Sequence, residues 1–374
     1  MTSISEIDMR FMAATERLAR RGFGRVWPNP SVAALIVRQK DGHAVVAGRG
    51  VTSRPGMAHA EVNALAQAGA LARGATCYVT LEPCSHYGRT PPCANALIEA
   101  GIGRVVIGMA DPNPRVSGRG IAMLREAGVE VVAGVREQAF EALYRGFTLR
   151  QLQQRPQVFL KLAVSRDGFI GRTGEGQVKI SGPLSMRKMH GFRAECDAIL
   201  VGAGTALADD PQLTCRLPGM ADRSPVRVIV DRRARLPLES SLVGSCADVP
   251  VWLICGNDAD PDRVGQLASA GVNVIRVPAG EDGVRPSVIL SALATRGITR
   301  LMVEGGARMA ASFLKADLVD ELCVVTGTLV IGAGGIPALN GLALADVLKD
   351  PRFGRVKAGM FGPDKFIYLR RRGA

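Results

Sequence analysis

The sequence predicts an α/β protein built as two successive units, and three observations carry that expectation. Strand-like and helix-like segments alternate along the chain, the pattern of a mainly parallel sheet covered by helices. The 374 residues exceed a single ordinary domain, at roughly 100–200 residues each. A polar helical stretch over 136–155, ending RQLQQRP, separates one alternation from the next. Pro156 stops that helix and starts an extended segment, which places the boundary near residue 150.

In the first unit, residues 6–22 read as a helix. Val32–Val37 and Ala44–Val51 read as strands turning at Asp41-Gly42. His59–Gly69, Cys93–Ala100 and Gly120–Gly128 are expected helices; Thr76–Glu82, Arg104–Met109 and Val129–Val135 are expected strands. In the second unit, the expected strands are Gln157–Ser165, Ala198–Val201, Val226–Asp231, Val251–Ile254, Val272–Val277, Leu301–Glu304, Glu321–Thr326 and Lys365–Arg370. Helices fit Pro183–Arg193, Asp262–Ala270, Ser287–Thr295 and Met309–Lys315.

Composition narrows the class. Hydrophobic residues at 47% and charged residues at 22% supply the apolar surface a disordered chain lacks. No charge lies between Glu321 and Asp346, but Gly327, Gly332, Gly334, Gly335, Pro337, Asn340 and Gly341 break the run. It reads as a buried strand, a Gly-rich loop and a short helix rather than the ~20 continuous apolar residues of a membrane span. The N-terminus mixes acids and bases without an apolar run, so no secretory signal is expected. The cysteines are then expected to stay reduced, in the cytoplasm. The net charge of +13 is spread as +5 over residues 1–146 and +8 over the rest, with only Arg370-Arg371-Arg372 as a basic tail. Such a field attracts anions without choosing among them. Single-stranded RNA recognition calls for aromatics interleaved with basic residues, and aromatics are only 5% here and unclustered.

His59, Cys84 and Cys93 carry the first chemistry. His59-Ala60-Glu61 opens a helix, Pro83-Cys84 follows a strand, and Cys93 opens another helix nine positions later. One imidazole and two thiolates make three protein ligands for Zn²⁺, leaving a fourth position for water. Zinc lowers the pKa of that water toward neutrality. Glu61 stands where it can carry protons between the water and a substrate nitrogen. This H-x-E, P-C and later Cys order matches zinc nucleobase deaminases, with eight residues between the cysteines instead of two. Cys77 alternates into the core, and the other cysteines show no ligand spacing. His43 and His190 read as surface residues.

On these residues the first half resembles the bifunctional deaminase–reductase (RibD) family of riboflavin biosynthesis. Pro28-Asn29-Pro30-Ser31-Val32, His59-Ala60-Glu61, the run from Thr80 to Cys93 (TLEPCSHYGRTPPC) and Asp111-Pro112-Asn113-Pro114 with Gly118-Arg119-Gly120 carry the likeness. In the second half Lys161–Gly168 (KLAVSRDG), Gly204-Thr205 through Ala208–Arg216, Val303-Glu304-Gly305-Gly306 and Gly332–Gly335 are similar to the same family. The resemblance implies a cytidine-deaminase-like α/β/α domain over 1–150 and a dihydrofolate-reductase-like domain over 151–374. It implies hydrolytic deamination of 2,5-diamino-6-(5-phosphoribosylamino)pyrimidin-4-one, then reduction of the ribosyl unit to ribityl with NADPH. By the same likeness, Asn29, His86 and Arg89 would contact the deaminase substrate. Lys161 would stand at the second reaction centre, and Arg187, Leu213, Arg216 and Glu304 would hold the phosphoribosyl substrate. Val164, Thr205, Asp209 and the turn Gly306, Ala307, Arg308, Met309, Ala310, Ala311 and Ser312 would contact NADPH.

No G-x-G-x-x-G follows a strand in this half, so a Rossmann-type cofactor site has no support. Glu304-Gly305-Gly306 instead opens a helix whose backbone N–H groups suit an anion. Two departures stand out: Gln177–Ser181 lacks the family's tryptophan and is one residue longer, and Arg166 replaces a commonly apolar residue. The expected partners are small phosphorylated pyrimidines for a homo-oligomeric enzyme, with neither nucleic acid nor membrane.

Overall fold

The computed structural model describes residues 4–87, 91–114 and 116–373. The chain divides into two compact units, Met1–Gln154 and Arg155–Ala374.

The first unit runs α1 (Glu6–Ala19), β1 (Ala33–Lys40), β2 (His43–Val51), α2 (Ala60–Ala68), β3 (Thr76–Leu81), α3 (Cys93–Glu99), β4 (Arg104–Met109), α4 (Arg119–Glu126), β5 (Glu130–Val132) and α5 (Glu137–Gln153). Its sheet has the order β2-β1-β3-β4-β5. Strict alternation builds two cores from single strands. Ala34 and Ile36 of β1, Cys77 and Val79 of β3, and Val105 and Ile107 of β4 pack with α2, α3 and α4. The residues between them (Leu35, Tyr78, Val106) pack on the other face with Phe11 and Met12 of α1 and Phe140, Leu143 and Tyr144 of α5. The result is an α/β/α sandwich.

The sheet departs from the mainly parallel expectation. β1 pairs antiparallel with both β2 and β3, and only β3, β4 and β5 run parallel. The turn at Asp41-Gly42 makes β1 and β2 a hairpin, which reverses direction without a crossover helix. α5 reads as polar, yet Phe140, Leu143, Tyr144 and Leu149 bury one face of it.

The second unit runs β6 (Gln157–Val164), β7 (Phe169–Arg172), α6 (Pro183–Ala194), β8 (Ala198–Gly202), α7 (Ala203–Asp209), β9 (Val226–Val230), α8 (Ser241–Gly244) and β10 (Val251–Gly256). It continues with α9 (Pro261–Ser269), β11 (Asn273–Val277), α10 (Pro286–Ala294), β12 (Arg300–Glu304), α11 (Ala307–Lys315), β13 (Glu321–Thr326), β14 (Gly335–Pro337), α12 (Leu344–Lys349), β15 (Phe353–Phe361) and β16 (Asp364–Arg371). Nine strands form one sheet in the order β11-β10-β9-β8-β12-β6-β13-β16-β15, with every pairing parallel except β13–β16 and β16–β15. β7 and β14 pair separately.

β7, β14, β15, α7 and α8 were not expected. β15 is an edge strand whose residues are largely exposed, so it lacks the apolar alternation that marks a half-buried strand. Arg370 and Arg371 are no tail: both lie in β16, where Arg370 pairs with Glu321 and Arg371 with Asp317.

Candidate active sites

The first site sits at the start of α2. Gly48 and Gly50 let β2 approach that helix closely: a Cβ on Gly50 would stand 2.0 Å from the Ala60 carbonyl oxygen, and one on Gly48 2.2 Å from that of Ala64. Asn63 ties the preceding loop down, donating to the Val51 carbonyl at 2.8 Å and the Ser53 hydroxyl at 3.0 Å. His59 is thereby held as the extended N-cap residue of α2. Cys84 leaves the sheet just after β3, and Cys93 opens α3.

The three donor atoms lie within 4.8 Å of one another. His59 Nδ1 is 3.3 Å from Cys93 Sγ and 3.7 Å from Cys84 Sγ. Tetrahedral zinc at ordinary bond lengths places N and S ligand atoms about 3.5 Å apart, so the donor set and its spacing fit this ion. Nδ1 is the nitrogen facing the thiols. The Cys93 N–H donates to Cys84 Sγ at 3.2 Å, which favours the thiolate. Hydrogen bonds from Cys93, and from His59, draw Cys84 down to about 4 against the effect of burial. Glu61 is 3% exposed. Burial first, then the negative Cys84, lifts its carboxyl to about 7, with His59 and a hydrogen bond to Cys93 acting the other way.

The loop carrying Cys84 is anchored by Glu82, which the sequence reading passed over. Its carboxylate accepts from four backbone N–H groups: Gly120 at 2.9 Å, Gly118 at 3.0 Å, Asp111 at 3.1 Å and Ile121 at 3.3 Å. That explains why the Asp111–Pro114 and Gly118–Gly120 segments accompany the cysteine loop. Asn29 is half-buried and His86 exposed; Arg89 lies outside the described residues.

The second site lies at the carboxyl ends of the parallel strands, where ligands bind in open α/β sheets. Lys161 of β6 and Glu304 of β12 are register partners. Lys161 Nζ donates to Glu304 Oε1 at 3.0 Å. Arg193 of α6, missed in the sequence, donates to Glu304 Oε2 through Nε at 2.9 Å, with Nη2 at 2.8 Å. Burial alone would raise Glu304; the Lys161 and Arg193 cations overcome it and hold the carboxyl at about 2.

His190 is not a surface residue. It is 8% exposed, with Nδ1 3.1 Å from the Thr214 carbonyl oxygen and 3.3 Å from the Arg216 N–H. Burial and the neighbouring Arg193 and Arg216 push its pKa down. Arg187 and Arg216 are exposed. The Leu213 side chain packs in the core with φ 55°, so only its backbone is left for a ligand.

β8 and β12 are neighbours in the sheet, so the turns that follow them meet. Gly305 and Gly306 both have positive φ, and a Cβ on Gly306 would come within 3.2 Å of Thr205 Oγ1. The α11 start beyond them could hold the phosphates of a dinucleotide on its backbone N–H groups. Arg308 is exposed, Ala307, Met309 and Ser312 are half-buried, and Val164, Ala310 and Ala311 are buried. Burial raises the half-buried Asp209 at the end of α7.

These features define a two-unit enzyme: a zinc-type deaminase site followed by an α/β site of reductase type. The chain belongs to the RibD family. Residues 5–109 match the cytidine and deoxycytidylate deaminase zinc-binding region, and residues 156–361 match the RibD C-terminal domain. The riboflavin biosynthesis protein RibD of Bacillus amyloliquefaciens is 39% identical over 95% of this chain and 94% of its own length. That of Escherichia coli (strain K12) is 37% identical over 97% of this chain and 99% of its own. Acinetobacter baumannii RibD, form 1, superposes with a TM-score of 0.85 at 33% identity, covering 97% of this chain and 98% of that one. The deaminase/reductase of Thermotoga maritima does so with 0.82 at 35% identity and the same coverage. The chain is accordingly a riboflavin-biosynthesis enzyme with a zinc deaminase domain and an NADPH-dependent reductase domain. Among the described residues, no helix is long and apolar enough to cross a membrane.

Proposed function

We propose that this chain deaminates 2,5-diamino-6-(5-phosphoribosylamino)pyrimidin-4-one in residues 1–150 and reduces the resulting 5-amino-6-(5-phosphoribosylamino)uracil in residues 151–374. Those are the two activities the Thermotoga maritima relative is named for. The observation that carries the reading is the presence in one chain of the His59–Cys84–Cys93 triangle beside Glu61 and of the Lys161–Glu304 pair at the strand ends.

His59, Cys84 and Cys93 would hold zinc, which when bound supplies an activated water. Glu61, buried and lifted toward neutrality, would take a proton from that water and hand it to the departing amino nitrogen. Asn29 offers a paired donor and acceptor to the pyrimidine edge, while His86 and Arg89 would reach the phosphoribosyl end. In the second unit NADPH supplies the hydride. Val164, Thr205, Asp209 and the Gly306–Ser312 turn would seat it. Arg187 and Arg216, both exposed, suit the substrate phosphate through their planar forks. Lys161, an ammonium oriented by Glu304, can donate to the ribose oxygen as it becomes a hydroxyl. The backbone at Leu213 completes the substrate wall.

The protein would work in the cytoplasm as a homo-oligomer on free small molecules, without nucleic acid. Incubating the zinc-loaded chain with NADPH and the diaminopyrimidine ribotide tests this. Oxidation of NADPH is expected only after deamination, and directly with the aminouracil ribotide. Failure with both substrates would end the reading. A low-salt RNA titration should show no binding.

A further inference from the structure

One helix grips the loop that carries Asn29 on both sides of that residue. Tyr144 of α5 donates its phenol proton to the Ser31 carbonyl at 3.1 Å, and Arg150 of the same helix donates to the Pro28 carbonyl at 3.5 Å. The Tyr144 oxygen also meets Thr80 Oγ1 of β3. A phenol has one proton, and here it goes to Ser31, so the Thr80 hydroxyl donates to Tyr144. Thr80 Oγ1 in turn accepts from the Ala33 N–H at 3.0 Å. The hydrogen bonds therefore point one way, from Ala33 through Thr80 and Tyr144 to Ser31. The Ser31 hydroxyl is engaged elsewhere, donating to the Ala19 carbonyl at the end of α1 at 2.6 Å. Tyr144, Thr80 and Ser31 are all buried, so water is a poor substitute for any of these contacts. Burial also pushes the Tyr144 phenol up, so it keeps the proton it donates.

We propose that Tyr144 is a positioning residue of the deamination: it fixes the Asn29 loop against the strand that delivers Cys84. Asn29 stands two positions before Ser31, and Cys84 four positions after Thr80. The proposal rests on the deaminase reading above, in which Asn29 meets the pyrimidine edge. Losing the phenol oxygen would leave the Ser31 carbonyl buried without its partner, and the loop would shift to satisfy it. His59 and Glu61 are held independently by the packing of β2 on α2, and Cys84 by the Glu82 anchor. Substrate binding should therefore weaken while the metal site and the turnover of bound substrate hold.

The test uses the zinc-loaded full chain with the diaminopyrimidine ribotide, comparing wild type, Tyr144→Phe, Asn29→Ala and the double variant. For Tyr144→Phe we expect the deamination KM to rise ~3–10-fold with kcat within about twofold, the range of one net hydrogen bond. Asn29→Ala should raise KM by ~10-fold or more. On that background Tyr144→Phe should add less than about twofold, because residues that act through one another are not additive. Zinc content and the KM for aminouracil ribotide should stay at wild-type values. A purely structural contact would lower the Tm and leave the deamination KM alone. If Tyr144→Phe does not fold, Thr80→Val decides: it removes the hydroxyl behind the phenol and should raise KM ~2–3-fold. An unmoved KM in the folded variant, or a full additional effect on top of Asn29→Ala, would overturn the proposal and leave the deaminase reading intact. A wild-type KM in Asn29→Ala would overturn the Asn29 assignment and the proposal with it. A wild type that does not deaminate the ribotide would overturn the deaminase reading itself.

Discussion

Glu304 owes its ionised state to two cations, and this gives the second unit a defined acid sensitivity. Its carboxyl is held at about 2, below the ordinary 4.5. A group depressed in the folded state stabilises that state above its unfolded pKa, and the contribution is lost as pH falls through the folded one. Stability should therefore drop between about pH 4.5 and 2. Urea midpoints in that window should fall less steeply in Glu304→Gln than in wild type; equal slopes would contradict the assignment. At the other site, Glu61→Gln should abolish deamination by ~10²-fold or more, the scale of a lost proton carrier. Metal analysis should show its zinc content unchanged, and reduction of aminouracil ribotide should persist. The His59–Cys84–Cys93 triangle was legible because the order of these residues and their positions at strand–helix junctions are visible in the chain itself. Arg193, His190 and Glu82 were not. Their partners are 111, 24 and up to 39 residues away, and are often backbone atoms that carry no sequence signal.

Packing between β2 and α2 sets where His59 and Glu61 stand. Two glycines of one strand meet the helix backbone at distances no side chain could share. Gly50→Val should overpack this contact and cost at least ~1–3 kcal/mol of stability. A calorimetric melt of the zinc-loaded protein would show it as a lowered Tm, and deamination should fall more than reduction. Most elements could be read from period and punctuation, because the buried strands alternate between two faces and helices such as α1, α6, α9 and α10 begin at a capping residue or a Pro. What escaped reading had a physical cause. β15 is an exposed edge without an apolar face, α7 is a seven-residue helix between a glycine and Asp210, and α5 hides its buried face among polar residues. The antiparallel β1 was implicit in the Asp41-Gly42 turn, though the helix–strand alternation suggested otherwise.

At the level of the whole molecule, the two sites draw on separate residues, separate sheets and separate chemistry. Chelating the metal should remove deamination while aminouracil ribotide is still reduced; parallel loss of both activities would show that the reductase needs the zinc site. The two alternations and their motif sets made this organisation legible, while the exact site contacts had to come from the fold. The central claim is that one chain performs both steps in order. A mass-resolved time course on the diaminopyrimidine ribotide with zinc and NADPH tests it most directly. Wild type should pass through the deaminated ribotide to the ribityl product, and Glu61→Gln should leave the starting material untouched. A wild type that reduces the ribotide before deaminating it, or a Glu61→Gln variant that still deaminates it, would contradict the account.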